Sequence, residues 1–362
     1  MNAPIQYSTR ISGQGAGGRE ILIAGLGSVG RRHLANLRAL GQSRLRLYRT
    51  GHSTLPDIDT DLTGVPVDYD LAAALAHRPL AVIVSNPHAL HLPVALEAAC
   101  AGSHLLIEKP LSHHLDGISE LEDVVRARSL TALVGYQFRF NPGLQQIKAW
   151  IDHGEIGSIR SAQVHWGEYL PQMHPWEDYR SSHVARPELG GGVVLTLSHP
   201  LDYLRWMLGE VDEVSAIEAR DDSLGIKVET CVDIDLRFVS GASGHVHVNF
   251  LQQPPEHRLL IIGTKGTITW SQDDHAARKY CVQTKRWETV WPPDGFERNS
   301  MFLAEMRHFL ACVNGVEQPL CTLRDGREVV RIAMAAKRVI GAAEVSSQEA
   351  CAMSSRFSGQ TT

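Results

Sequence analysis

Two stretches carry residue types that can do chemistry, and a third binds the group that chemistry needs. Gly25-Leu26-Gly27-Ser28-Val29-Gly30 follows the apolar run Ile21–Ala24 and precedes a segment with leucines at helical spacing. In that context each glycine has a reason: Gly25 allows a tight turn, Gly27 lets the backbone approach a pyrophosphate, and Gly30 lets helix and strand pack closely. The helix that opens at Ser28 and Val29 offers unpaired N–H groups and a positive dipole end to phosphate. Glu108-Lys109-Pro110 ends another apolar strand, at the edge where open α/β sheets bind ligands. Gly190-Gly191-Gly192 leads into a run ending at His199-Pro-Leu-Asp202.

The glycine turn implies a dinucleotide, and the end of the next strand selects which one. Leu47-Tyr48-Arg49-Thr50-Gly51-His52-Ser53-Thr54 contains no acid to hold ribose hydroxyls. Arg49, Thr50 and the neighbouring hydroxyls suit a 2′-phosphate through charge-assisted hydrogen bonds, so NADP is expected, with NAD the alternative. Arg49 can equally stack on the adenine.

Regular elements must position these groups. Leu45–Arg49, Leu80–Ser85, His104–Ile107 and Leu130–Val134 are further strand candidates, separated by helical segments such as 70–76, 93–101 and 117–128. This alternation predicts a parallel, doubly wound α/β sheet over residues 19–138. Period two then takes over: Val232, Ile234, Leu236 and Phe238 alternate with polar neighbours, and Gly241–Gly244 and Gly263–Gly266 mark hairpins. Residues 139–345 therefore read as an α+β domain with an open, mostly antiparallel sheet, closed by helices at 302–313 and 327–340. Residues 1–18 and 346–362 read as tails.

These features together resemble the glucose–fructose oxidoreductase and inositol dehydrogenase family (Gfo/Idh/MocA), from about Glu20 to Ala343. Glu108-Lys109-Pro110 is the most specific part. Tyr136-Gln-Phe-Arg139-Phe-Asn-Pro142 and the glycine-rich segment before His199 add to it. The resemblance implies hydride transfer between a nicotinamide and a carbinol carbon, usually on a sugar, cyclitol or sugar derivative, and a homo-oligomer. By position it puts Ser85, Asn86, Pro87, His91, Glu108 and Lys109 beside the cofactor. Lys109, Arg139, Thr196 and His199 fall on the substrate side. Lys109 is then expected to donate to the reacting oxygen, and His199 to exchange the hydroxyl proton. Asp202 either orients that imidazole or pairs on its own helix. Many relatives carry an acid shortly before this histidine, whereas Leu195-Thr196-Leu197-Ser198 offers only hydroxyls.

From Trp166 to Arg180 the chain is rich in aromatic and polar groups. Trp176 and Tyr179 suit a sugar face, and Arg180 a substrate carboxylate or phosphate; a purely structural loop anchored by Trp176 is the other reading. A nucleotide or amino sugar would fit such a loop. The 18 histidines are dispersed, and neither His245/His247 nor His113/His114 has partners at ligand spacing, so no metal is expected. A net charge of −5 gives no field for nucleic acid, and no apolar run can span a bilayer. Scattered cysteines and the absence of an apolar leader block fit a cytoplasmic enzyme. Two alternatives remain open: reduction of a non-sugar carbonyl or conjugated double bond, and a regulator that senses NADPH without turnover.

Overall fold

A strand whose side chains are all buried on both faces belongs inside a parallel sheet covered by helices. β1 (Ile21–Ala24) is such a strand and sits centrally in the first sheet of the computed structural model, which describes residues 18–51, 62–219 and 221–358. It leads into α1 (Ser28–Ala39), β2 (Leu45–Tyr48), β3 (Val67–Asp68), α2 (Leu71–Ala76) and β4 (Ala81–Val84). Then come α3 (His91–Cys100), β5 (His104–Glu108), α4 (Ile118–Ala127) and β6 (Ala132–Gly135). The sheet order is β3-β2-β1-β4-β5-β6, every pairing parallel. The order reverses between β1 and β4, and the crevice at their carboxyl ends is where such folds take ligands.

A single helical turn at Gln137–Phe140 joins this sheet to α5 (Pro142–Asp152), whose N-terminus is capped by the Asn141 side chain. β7 (Ile159–Tyr169) follows, then the short helices α6 (Leu170–Met173) and α7 (Val193–Thr196), and α8 (His199–Leu208). The remaining strands are β8 (Val211–Glu218), β9 (Cys231–Phe238), β10 (Ser243–Asn249), β11 (Leu251–Gly263), β12 (Gly266–Ser271), β13 (Ala277–Cys281) and β14 (Arg286–Val290). The chain closes with α9 (Arg298–Val313) and α10 (Leu323–Ser358). The second sheet runs β14-β13-β12-β11-β7-β10-β9-β8 and is antiparallel except for β7 against β10. Alternation buries Val164, Trp166, Ile234, Leu236, Val246, Val248 and Leu259 in one core with α5, α8 and α10. The opposite face is polar: His245 and His247 hydrogen-bond Asp235 and Asp233 across the β9–β10 pair.

Three features depart from the sequence reading. β3, β8, β13 and β14 are additional strands. α9 does not stay with the second sheet: Met306, Phe309 and Leu310 bury themselves with Leu34, Leu37 and Leu106 of the first domain. Reciprocal amide bonds of 2.9 and 3.3 Å between Asn36 and Asn299 fix α9 against α1. α10 continues to Ser358, so 346–358 is helical instead of a tail, while 1–17, 52–61 and 359–362 lie outside the described residues.

Candidate active site

The glycine turn has the shape its spacing requires. Gly25 adopts φ +100°, and a Cβ there would lie 2.8 Å from the Asn86 nitrogen. A Cβ on Gly30 would lie 2.2 Å from the Gly25 carbonyl oxygen, so helix and turn touch. Gly27 is the contrast: nothing lies within 4 Å of its would-be Cβ. Ser28, Val29 and Gly30 open α1 beside that space, which fits a pyrophosphate seated on the backbone.

Several residues placed beside the cofactor by sequence brace the crevice. The Ser85 hydroxyl donates to the carbonyls of Ala24 and Gly25, at 3.2 and 3.0 Å, and holds the turn from below. His91 is buried with Nδ1 2.7 Å from the Pro110 carbonyl and Nε2 2.8 Å from the Asn86 carbonyl. Both ring nitrogens face backbone carbonyls, and the ring's N–H donates to one of them, so His91 ties two loops together. Asn86 donates to the Leu90 carbonyl, leaves its Oδ1 buried without a partner, and is followed by Pro87 at the start of a helical turn. Glu108 points down, not out: its Oε1 meets His33 Nε2 at 2.7 Å and its Oε2 accepts from the Lys109 amide. Burial alone would raise the Glu108 pKa, but the His33 bond and charge outweigh it and hold the carboxyl below its usual range.

Lys109 projects the other way. Its Nζ donates to the Thr196 carbonyl oxygen at 2.6 Å, joining the end of β5 to α7. Burial of the ammonium lowers its pKa to about 8; Glu108 opposes this, the Arg298 charge adds to it, and Glu168 opposes it. The next turn brings His199, 2% exposed, between the rings of Phe138, Tyr136 and Trp166 at centroid distances of 4.7, 5.5 and 5.7 Å. Its Nδ1 is buried without a partner, and so is the Thr196 hydroxyl. Burial pushes the imidazole well below its ordinary pKa, with the Lys109 charge next in weight, so the ring is neutral at pH 7.

Asp202 does not orient His199. Its carboxylate accepts three hydrogen bonds of 2.7 to 3.2 Å from the Arg139 guanidinium, and both side chains are almost fully buried. Arg139 spends its remaining reach on the Leu320 carbonyl, so it is a strut of the second domain and not a substrate ligand. The loop residues are also placed differently. Trp166 belongs to β7 and stacks on His257 at 4.3 Å. The Tyr179 hydroxyl donates to the Leu224 carbonyl at 3.0 Å, while the Arg180 guanidinium lies over the Tyr179 ring at 4.5 Å, beside Asp178. Trp176, half exposed, lies 5.3 Å from the His174 ring. Arg49 donates its amide to the Asp68 carbonyl at the end of β2; His52, Ser53 and Thr54 lie outside the described residues.

The structure adds residues that the sequence did not single out. His88 and His183 meet at 4.8 Å; burial lowers the pKa of each, and the neighbouring histidines and then the Lys109 charge add to it. Glu168 shares the inward face of β7 with Trp166, from whose Nε1 it accepts a hydrogen bond. Arg32 and Arg298 complete the set. Period two could have aimed Glu168 inward; for the arginines no local signal exists.

A dinucleotide cradle and a desolvated lysine on one crevice define a nicotinamide-dependent oxidoreductase of two domains. Family models agree on both. "Oxidoreductase family, NAD-binding Rossmann fold" matches residues 19–136, and "GFO/IDH/MocA C-terminal domain" matches 144–269. The chain belongs to the Gfo/Idh/MocA family of oxidoreductases. The uncharacterized oxidoreductase YrbE of Bacillus subtilis is 28% identical over 87% of this chain and 92% of its own length. Myo-inositol 2-dehydrogenase of Thermotoga maritima is 25% identical over 87% and 94%. An uncharacterized oxidoreductase of Synechocystis is 29% identical, but over only 54% of this chain and 55% of its own length. Among solved structures, levoglucosan dehydrogenase in complex with NADH and levoglucosan shares the fold, with a TM-score of 0.80 and 19% identity over 89% of this chain and 97% of that one.

Proposed function

We propose that this chain transfers a hydride between a nicotinamide cofactor and a carbinol or carbonyl carbon of a sugar, cyclitol or sugar derivative. The observation that carries the reading is the juxtaposition of Lys109, bound to the Thr196 carbonyl, with a buried His199 whose Nδ1 has no partner. The residues around Gly27 fit a pyrophosphate, and a bound nicotinamide supplies or accepts the hydride. The protein then has one proton to manage. The Lys109 ammonium has donors beyond the one held by Thr196 and turns them on the substrate oxygen, stabilising the negative charge that develops there. His199, neutral in the resting site and held by three rings, takes the hydroxyl proton in oxidation; in reduction the same imidazole, protonated from solvent, gives a proton to the alkoxide. The sugar class is supported by relatives named 1,5-anhydro-D-fructose reductase and myo-inositol 2-dehydrogenase.

NADP is the proposed cofactor. Arg49 stands at the end of β2, where a 2′-phosphate would lie, and the Asp68 carboxylate, the acid nearest that end, is engaged by Arg46 at 2.9 Å. The uncovered polar face of the second sheet, with Ile217 exposed on it, supports self-association. The test is nicotinamide absorbance across a panel of sugars and inositols, for wild type and Lys109→Ala. Turnover with some polyol or ketose, reduced about 10²–10⁴-fold in the variant with NADPH affinity retained, supports the reading. NADPH binding with no turnover on any polyol or ketone, and unaltered by Lys109→Ala, indicates a cofactor sensor instead.

A further inference from the structure

Arginines in this protein are generally matched to carboxylates: Arg46 to Glu20 and Asp68, Arg139 to Asp202, Arg205 to Glu210 and Asp325, Arg278 to Asp274, Arg327 to Glu122. Arg32 and the exposed Arg298 belong to the arginines that have no such partner among the described residues. Arg32 on α1 is half-buried, with its guanidinium 4.4 Å above the centre of the Phe302 ring and no carboxylate or carbonyl partner among the described residues. Arg298 opens α9 and likewise has no ion pair among the described residues. Phe302 lies one turn after Arg298 on the same helix, so Arg32 stands over the turn that Arg298 begins. The Asn36–Asn299 amide pair holds the two helices in that register.

The corner adjoins the reacting groups: Arg32 is followed by His33, whose Nε2 lies 2.7 Å from the carboxylate of Glu108, the residue before Lys109. The charge of Arg298 is felt by Lys109, His199 and His174, and that of Arg32 by His174 as well. His174 keeps a buried Nδ1 without a partner, and His199 does the same. A half-buried guanidinium next to a second one repels it, and the Glu108 charge, already committed to His33, offsets only part of that repulsion. Two planar donor forks at one corner match the oxygens of a carboxylate or phosphate.

We propose that Arg32 and Arg298 form a clamp for an oxyanion carried by the substrate, so that the sugar is an acid or a phosphate derivative, not a neutral polyol. The clamp takes the role that sequence spacing had given to Arg180, whose guanidinium lies against Tyr179. The proposal rests on the dehydrogenase reading above. Phosphate oxygens have two sources here, the substrate and the cofactor's pyrophosphate, and the test separates them.

The protein is first saturated with NADPH, and thermal unfolding is then followed against inorganic phosphate, D-glucuronate and D-glucose, for wild type, Arg298→Gln and Arg32→Gln. Phosphate and glucuronate should stabilise wild type saturably by mass action, and glucose far less. Arg298→Gln should raise the half-saturating anion concentration about 10- to 100-fold, as loss of a charge-assisted hydrogen bond implies, with NADPH affinity within about twofold of wild type. Arg32→Gln serves as an independent second probe. The proposal is overturned if no anion stabilises the NADPH-bound protein, if glucose matches glucuronate, or if Arg298→Gln changes nothing. It is also overturned if NADPH abolishes the anion effect or binds the variant as weakly as the anion does, since the arginines then serve the cofactor. Failure of the dehydrogenase reading looks different: no stabilisation by NADPH itself.

Discussion

Replacing Glu108 by Gln keeps the shape of the side chain and one acceptor for His33, but removes the negative charge that supports the Lys109 ammonium. In the native site Lys109 falls from 10.5 to about 8, because burial outweighs the help of Glu108. That descent corresponds to about 3.4 kcal/mol of lost preference for the charged amine. An opposite charge at close range is worth about 1–3 pH units to a neighbouring group. Glu108→Gln should therefore move Lys109 down by at least about one further unit, to near neutrality. Competitive acetylation with isotopic acetic anhydride between pH 6 and 10, read by mass spectrometry on the peptide bearing Lys109, measures this without knowledge of the substrate. A rate consequence follows with a definite sign. The ammonium stabilises the charge on the reacting oxygen, so that part of the rate is lost as pH rises through the Lys109 pKa, from about pH 8 in wild type and from lower pH in the variant. Lys109 titrating near 10.5 in wild type, or failing to move acid-ward in a folded Glu108→Gln protein, would refute the reasoning.

Arg49→Asp should reverse cofactor preference, lowering the ratio of NADPH to NADH affinity by at least about 10-fold in fluorescence titrations; tighter binding of NADH by wild type would contradict this. Arg139→Leu strands the buried Asp202 carboxylate and should destabilise the fold by about 3–5 kcal/mol in urea unfolding. A loss below about 0.5 kcal/mol would mean the pair is dispensable. Glu305 is completely buried with neither carboxylate oxygen partnered, and burial holds its pKa well above the ordinary value. The unfolded chain ionises above its ordinary pKa while the folded one keeps the proton, so stability declines as pH rises. Glu305→Gln should remove that decline and be the more stable protein at pH 7; an unchanged pH slope would rule this out.

How far the sequence revealed all this depended on distance along the chain. β1, β4 and β6 are buried throughout, β5 is buried from Leu105 onward, and they read as plain apolar runs. The glycine turn was equally legible, because its constraints act within six consecutive residues. β14 was not, since nearly every residue of Arg286–Val290 is exposed and no alternation survives. Lys109 and His199 stood out through their motifs, but their neighbours did not. Glu108 binds a histidine 75 residues away, and Asp202 an arginine 63 residues away. Such pairs leave no trace in local spacing. Proximity in sequence made Asp202 look like the partner of His199, and made Arg180 look like a ligand because the loop around it was aromatic. Arg298 was invisible for the converse reason: it reaches the crevice only because α9 folds back onto α1.

The most direct test is a crystal structure of the protein with NADPH and a turned-over sugar or its product. One substrate oxygen should lie within hydrogen-bond reach of both Lys109 Nζ and the His199 imidazole, on the carbon that faces the nicotinamide ring. An amine at Lys109 directed into solvent, with the sugar bound elsewhere, would contradict the assignment of the active site while leaving the fold intact.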